Sequence, residues 1–163
     1  MPQDIVRDYG YLTLGTRLRR LGEMIQANTQ IIMHEHGMTL PAAQYPFLAA
    51  LARNGPLTVG ELAETIGISQ PGATRTLGQL AEAGLIDIAV IDGDQRRKHL
   101  TLTKAGDDLV SHATASVWPR VEAAVRDLCA ELEGPLLNQL AAIEDGLKQQ
   151  PLSKRGMKDK KAE

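Results

Sequence analysis

From Leu12 to His36 the apolar residues fall at Leu14, Leu18, Leu21, Ile25 and Ile32, a 4-3-4-7 spacing that keeps one helical stripe across the polar gap at Asn28. The spacing predicts a long helix ending near Gly37. Pro41 suits the first turn of a second helix, which carries Tyr45, Phe47, Leu48 and Leu51 on a core face and stops before Asn54-Gly55-Pro56. Thr58 with Glu61 three residues on is a capping box, opening a short helix from Val59 to Ile66 that Gly67 ends. Ser69 is placed to cap the next helix, with Pro71 in its first turn, Leu77 and Leu80 inward and a stop at Ala83-Gly84. Beyond Gly84 the period changes to two: Ile86, Ile88 and Val90 alternate with Asp87 and Ala89, the pattern of a half-buried strand. Asp92-Gly93-Asp94-Gln95 supplies a turn, and His99-Leu100-Thr101-Leu102 reads as the returning strand. Thr103 caps a long helix with Val110, Ala113, Val117, Val121, Ala124 and Leu128, expected to bend at Trp118-Pro119. A last helix follows from Pro135, with Leu136, Leu140, Ile143 and Leu147 on one face. Residues 151–163 are charged, nearly free of large apolar side chains, and expected to lack fixed structure.

The predicted fold class is mainly α with a small β-hairpin wing, a winged helix-turn-helix flanked by long helices. The 163 residues suit a single domain over 1–163, with the reading region at 55–103 and flanking helices at 12–52 and 104–150. Phe47, Trp118 and three tyrosines are the only aromatics, so the core must be built from Leu, Ile, Val and Ala, which argues against an all-β architecture. No apolar run approaches the ~20 residues of a membrane span, and the start Met-Pro-Gln-Asp lacks the layout of a signal peptide; a cytoplasmic protein is expected. The single cysteine, Cys129, excludes an intramolecular disulfide and fits a reducing compartment. Its place among helix-core residues predicts a buried, inert thiol.

A net charge of −2 does not by itself advertise a nucleic-acid binder. Resolved by segment, residues 1–52 carry four basic and four acidic side chains, 53–103 five and six, 104–150 four and eight, and 151–163 five and two. The negative excess therefore lies in 104–150, and DNA contact must come from a local cluster such as Arg96-Arg97-Lys98. Two short helices with a tight turn, followed by a hairpin with basic residues near its tip, fit duplex DNA: one helix enters the major groove while the hairpin reaches the neighbouring backbone or minor groove. The candidate reading residues are Ser69, Gln70, Gly72, Thr74, Arg75, Thr76 and Gln79, the polar positions of the exposed first turns, together with Arg96, Arg97 and Lys98 on the wing. Arg75 can pair bidentately with guanine, and Gln70 or Gln79 with adenine. The hydroxyls suit phosphates or base edges, and Gly72 permits close approach.

Three stretches in this order resemble the MarR (multiple antibiotic resistance regulator) transcription factors: LTVGELAETIGISQPGATRTLGQLAEAGLI at 57–86, DGDQRRKHLTLTKAG at 92–106, and long helices on either side. The resemblance covers roughly residues 10–150. It implies a homodimer formed by the terminal helices, a pseudo-palindromic site on double-stranded DNA, and repression relieved by a small anionic or aromatic effector. One departure stands out: the family carries an acidic residue immediately before the wing arginines, where this chain has Gln95, with Asp94 one place earlier.

Other chemistries find less support. His34-Glu35-His36, with His112 further on, invites a metal reading, but i, i+2 histidines at a helix end diverge and no Cys/His cluster has zinc-site spacing; no metal and no cofactor are expected. There is no glycine-rich phosphate loop, G-x-S-x-G elbow or H-E-x-x-H, so no enzyme is expected. Two rival functions remain. A helical protein-interaction module on a winged-helix scaffold agrees with the acidic balance but not with Arg75, Arg96, Arg97 and Lys98. A thiol-based peroxide sensor needs a reactive cysteine near the N-terminal helix, and Cys129 lies late in the chain. An effector pocket is expected where the helix over 12–36, the helix after Pro41 and the helix from Thr103 meet the reading region, with Leu14, Arg17, Leu18, Tyr45, Phe47 and Leu51 as candidates and Arg17 placed to neutralise a carboxylate.

Overall fold

The computed structural model describes residues 3–90 and 98–155. In chain order the helices are α1 (Ile5–Asp8), α2 (Leu14–Glu35), α3 (Tyr45–Asn54), α4 (Val59–Ile66), α5 (Gln70–Glu82), α6 (Lys104–His112), α7 (Trp118–Leu128) and α8 (Leu136–Gln149). The strands are β1 (Leu57–Thr58), β2 (Ile86–Val90) and β3 (Lys98–Leu102). They form one antiparallel sheet in the order β1-β3-β2, with Leu57 opposite Leu100 and Ile88 opposite that same residue from the other side. The chain divides into two compact units, residues 1–123 and residues 124–163.

Within the first unit one cluster makes a compact head: Phe47, Leu48 and Leu51 from α3, Leu62 and Ala63 from α4, Ala73, Leu77 and Leu80 from α5, Ile86, Leu100 and Val110. Burial of these apolar side chains supplies the main driving force for the head, the Phe, Leu, Ile and Val side chains contributing about 1.5–3 kcal/mol each and the alanines less, before entropy is set against it. A second cluster joins Met33, Met38, Tyr45, Ala113 and Val117. Gly106 ties the sheet to α6 through a close approach: a Cβ there would lie 2.1 Å from the carbonyl oxygen of Leu85. Thr103, the N-cap of α6, accepts the Gly106 N–H at 3.1 Å and donates its hydroxyl to the Gly84 carbonyl at 2.7 Å.

Several sequence expectations need correction. Pro41 lies outside α3: it precedes a 3-10 turn, Ala42–Gln44, and the proline in the first turn of α3 is Pro46. Ile88 is 48% exposed while Ile86 is 2% exposed, because β2 runs past the head and its distal half meets solvent. The long helix from Thr103 is interrupted by a π turn at Ala113–Val117, which shifts the hydrogen-bond register just ahead of Pro119, whose nitrogen has no proton to donate. Leu128 is 69% exposed, and Cys129, one residue past α7, is half-buried where a fully buried thiol was expected. The sequence pattern also passed over α1, the 3-10 turn Gly10–Thr13 and the two-residue β1. Asp4 caps α1 and forms a two-pronged ion pair with Arg20 of α2, both contacts at 3.0 Å. That hydrogen bond to Arg20 is the main reason the Asp4 carboxyl is held below its ordinary range.

In the second unit, α8 starts after Pro135 as expected and carries Leu137, Ile143 and Leu147 exposed. Leu152–Lys154 form a 3-10 turn where no fixed structure was expected, and residues 156–163 of that stretch lie outside the described residues.

Candidate nucleic-acid interface

The capping box predicted for α4 is present: the Glu61 backbone N–H donates to the Thr58 hydroxyl at 3.3 Å, and the Thr58 N–H donates to the Glu61 carboxylate at 2.7 Å. Gly67 ends the helix in the left-handed conformation at φ 78°, a geometry glycine adopts without a Cβ penalty. Only Gly67, Ile68 and Ser69 separate α4 from α5. This tight turn sets the two helices of the pair against each other around Leu62, Ala63, Ala73 and Leu77.

On α5, Ala73, Leu77 and Leu80 are buried, so one stripe of the helix is fully committed to the head. The opposite stripe carries Pro71, Gly72, Arg75, Gly78, Gln79 and Glu82, all exposed. Arg75 stands at its centre with glycines before and after it, and makes no hydrogen bond or ion pair with the described residues. Glu82 places a negative charge at the C-terminal end, whereas the N-terminal end carries the positive pole of a 13-residue helix. A polyanion is therefore favoured on the N-terminal half, where Arg75 lies.

The other predicted residues divide into several groups. Ser69 occupies the N-cap position, but its side chain makes no capping bond; its Oγ instead lies 3.3 Å from where a Cβ on Gly72 would be. Gln70 folds back toward α4, its Nε2 lying 3.1 Å from where a Cβ on Gly60 would be. The hydroxyls of Thr74 and Thr76 donate to the Gln70 and Gly72 carbonyls at 2.9 and 3.3 Å, leaving them as acceptors toward an outside partner. Gln79 lies in the third turn of the helix and not in its first turns, and its Oε1 accepts from Gln44 at 2.8 Å. Lys98 is exposed at the start of β3, opposite Val90 in the register. Arg96 and Arg97, with Asp94 and Gln95, lie outside the described residues.

The residues suggested for an effector pocket do not form one cluster. Phe47 and Leu51 belong to the head, Tyr45 to the second cluster, and Leu14, Arg17 and Leu18, on the N-terminal half of α2, to neither. Tyr45 is 4% exposed, its hydroxyl is buried without a hydrogen-bond partner among the described residues, and burial pushes the phenol up to about 12. No group of three metal-ligating side chains occurs among the described residues, and His36 Nδ1 pairs with the Ile32 carbonyl at 2.8 Å. Among the described residues no helix is long and apolar enough to cross a membrane.

A tight helix pair whose second member exposes a polar, arginine-centred face, backed by a three-stranded sheet ending in a hairpin, defines a winged helix-turn-helix. Comparison with known proteins agrees. A sequence model of the MarR family matches residues 36–97, which span the helix pair and the start of the wing. The HTH-type transcriptional regulator FarR of Neisseria gonorrhoeae is 36% identical over 107 residues, an alignment covering 64% of this chain and 73% of FarR. Overoxidized AbfR bound to DNA superposes with a TM-score of 0.64 at 18% identity, covering 83% of this chain and 90% of AbfR. A Staphylococcus aureus MarR in complex with salicylate and kanamycin superposes with a TM-score of 0.58 at 22% identity, covering 90% of this chain and 95% of that one. The chain belongs to the MarR family of transcriptional regulators.

Proposed function

We propose that the protein is a homodimeric repressor that reads a pseudo-palindromic site on double-stranded DNA through α5 and grips the flanking backbone with its wing. The observation that carries this is the outward face of α5: Arg75, unpaired among the described residues and flanked by Gly72 and Gly78, on a helix whose other face is locked into the core by Ala73, Leu77 and Leu80. In this reading Arg75 contacts a guanine edge, Ser69, Gln70, Thr74, Thr76 and Gln79 contact phosphates or neighbouring bases, and Lys98 with Arg96 and Arg97 holds the backbone. That AbfR, which shares the fold, was solved bound to DNA supports duplex binding by this fold.

The dimer is supported by apolar surface that the described residues of this chain leave open on α2 (Leu18, Leu21, Met24 and Ile25) and, separately, on α8 (Leu137, Ile143 and Leu147). Release by a small aromatic or anionic effector is supported by the orphan hydroxyl of Tyr45, which a bound molecule or water can satisfy, and by the salicylate complex of the S. aureus protein. The protein acts by binding, in the cytoplasm, without chemistry of its own. The test is salt-dependent affinity. Wild type should bind a selected operator more tightly than random duplex, and Arg75→Ala should lose about 1–3 kcal/mol on the operator and much less on random DNA. Absence of any salt-dependent binding would replace this reading with a protein-interaction module.

A further inference from the structure

Gln79 shares the outward face of α5 with Arg75, one turn further along, yet its amide is already engaged by a residue far away in the sequence. Gln44, the last residue of the 3-10 turn Ala42–Gln44, donates its Nε2–H to Gln79 Oε1 at 2.8 Å. The turn that carries Gln44 is itself anchored. Gln30 of α2 donates its Nε2–H to the Leu40 carbonyl at 3.2 Å and accepts the Ala42 N–H on its Oε1 at 2.6 Å, so a single amide clamps the backbone on both of its polar sides. Gln44 is half-buried and Gln79 exposed, and Gln79 Nε2 has no partner among the described residues. With one lone pair of its oxygen taken from within the protein, the Gln79 amide keeps both of its N–H donors for an outside partner.

We propose that Gln44 is a positioning residue for DNA reading: its hydrogen bond fixes the Gln79 amide so that the NH2 donor, which has no partner among the described residues, is presented to the major groove. A free glutamine matches adenine by offering oxygen and nitrogen together, a donor to N7 and an acceptor to the N6 amino group. With one lone pair of its oxygen held by Gln44, Gln79 favours acceptor edges, the O6 and N7 of guanine or the O4 of thymine. Specificity at one position per half-site is then set by a residue outside the helix-turn-helix, on a turn anchored to α2. This inference rests on α5 being the reading helix.

The experiment compares wild type, Gln44→Ala, Gln44→Glu, Gln79→Ala, the double variant Gln44→Ala/Gln79→Ala and Arg75→Ala on the selected operator and on random duplex, with thermal unfolding of each. Gln44→Ala should lower the ratio of operator to random affinity roughly three- to ten-fold, the range of one net hydrogen bond, with random-DNA affinity and salt slope unchanged. The double variant should lose no more than Gln79→Ala alone, since both act through one group. Gln44→Glu can only accept, so it should turn the Gln79 amide over and move the preferred base from guanine or thymine to adenine or cytosine. An unchanged ratio in Gln44→Ala, losses that multiply in the double variant, or a Gln44→Glu protein that selects the wild-type site would each overturn the proposal. Should Gln44→Ala unfold, the site selected by Gln44→Glu decides alone. If Arg75→Ala also leaves the ratio intact, it is the DNA reading of α5 that fails; if Arg75→Ala loses it while the Gln44 variants do not, only the role of Gln44 falls.

Discussion

The helices α2 and α3 follow one another in the chain and both carry an apolar stripe, yet α2 buries one residue of its 22 and α3 five of its ten. The difference is one of partners. Phe47, Leu48, Ala50 and Leu51 of α3 share one cluster with residues of α4, α5, the sheet and α6, and Tyr45 shares a second with Met33, Met38, Ala113 and Val117, whereas Leu18, Leu21 and Ile25 of α2 remain 38%, 43% and 40% exposed. A hydrophobic stripe thus reports that a helix has a face to cover and says nothing of what covers it. In the reading head the cover is intramolecular and packing is complete; along α2 the proposed cover is a second copy.

If the head has no slack, the largest loss should come where one atom has no room. Gly106→Ala places a Cβ 2.1 Å from a backbone oxygen that cannot move without parting β2 from α6, so a loss of about 4 kcal/mol is expected in urea unfolding. A variant as stable as wild type would mean that the join between sheet and helix is loose. Next in size, Leu77→Ala removes a side chain only 3% exposed and should cost about 3 kcal/mol through transfer and cavity terms. Its mirror on the open helix is Leu21→Asp. That change should barely alter the packing of the head but should abolish the dimer at micromolar concentration in sedimentation and weaken operator binding. A Leu21→Asp protein that stays dimeric would assign the stripe of α2 to some other cover.

What could be read from the sequence follows the same division. The capping box at Thr58, the left-handed Gly67 and the inward Leu77 and Leu80 were all legible, because each depends on residues within a few positions of one another. The exposure of Ile88 is not legible, because alternation says which residues share a face but not where the covering layer stops. Pro41 satisfies the first-turn rule as well as Pro46 does, so the local pattern does not tell that α3 begins only at Tyr45. The outward polar face of α5 is legible in the same way, but the partner of Gln79 is not: Gln44 lies 35 residues away, and nothing local to either glutamine marks the pair.

A smaller effect should separate α1 from the head. The Asp4 carboxyl is lowered from its ordinary 3.8, chiefly by its hydrogen bond to Arg20. A depressed folded-state value stabilises above the unfolded value, and the contribution is lost as pH falls through the folded one. Asp4→Asn should therefore unfold slightly earlier than wild type at neutral pH, and the two curves should converge in acid below the ordinary carboxylate range. Both partners are surface groups, so added salt should also shrink the gap. A gap that persists in acid would assign the effect to the cap on Arg7 and not to the ion pair.

The smallest expected change in stability is also the one that bears most directly on an effector. Tyr45 packs its ring between Met33, Met38, Ala113 and Val117, so its burial is of the intramolecular kind seen in the head, but its hydroxyl is left without a partner among the described residues. A buried unsatisfied hydroxyl costs free energy, so Tyr45→Phe, which keeps the ring, should be neutral or stabilising by up to about 1 kcal/mol. The phenol is raised from 10.0 to about 12, so its contribution is fully present below pH 10 and is lost as pH rises toward 12; Tyr45→Phe should lack that alkaline loss. Operator affinity should be unchanged without effector. If the hydroxyl anchors an aromatic or anionic molecule, the concentration of salicylate needed to release DNA should rise several-fold in the variant, in step with the loss of one hydrogen bond. A Tyr45→Phe protein that is clearly destabilised would show that the hydroxyl is satisfied from within the fold, and one that releases DNA at the wild-type salicylate concentration would place the effector elsewhere.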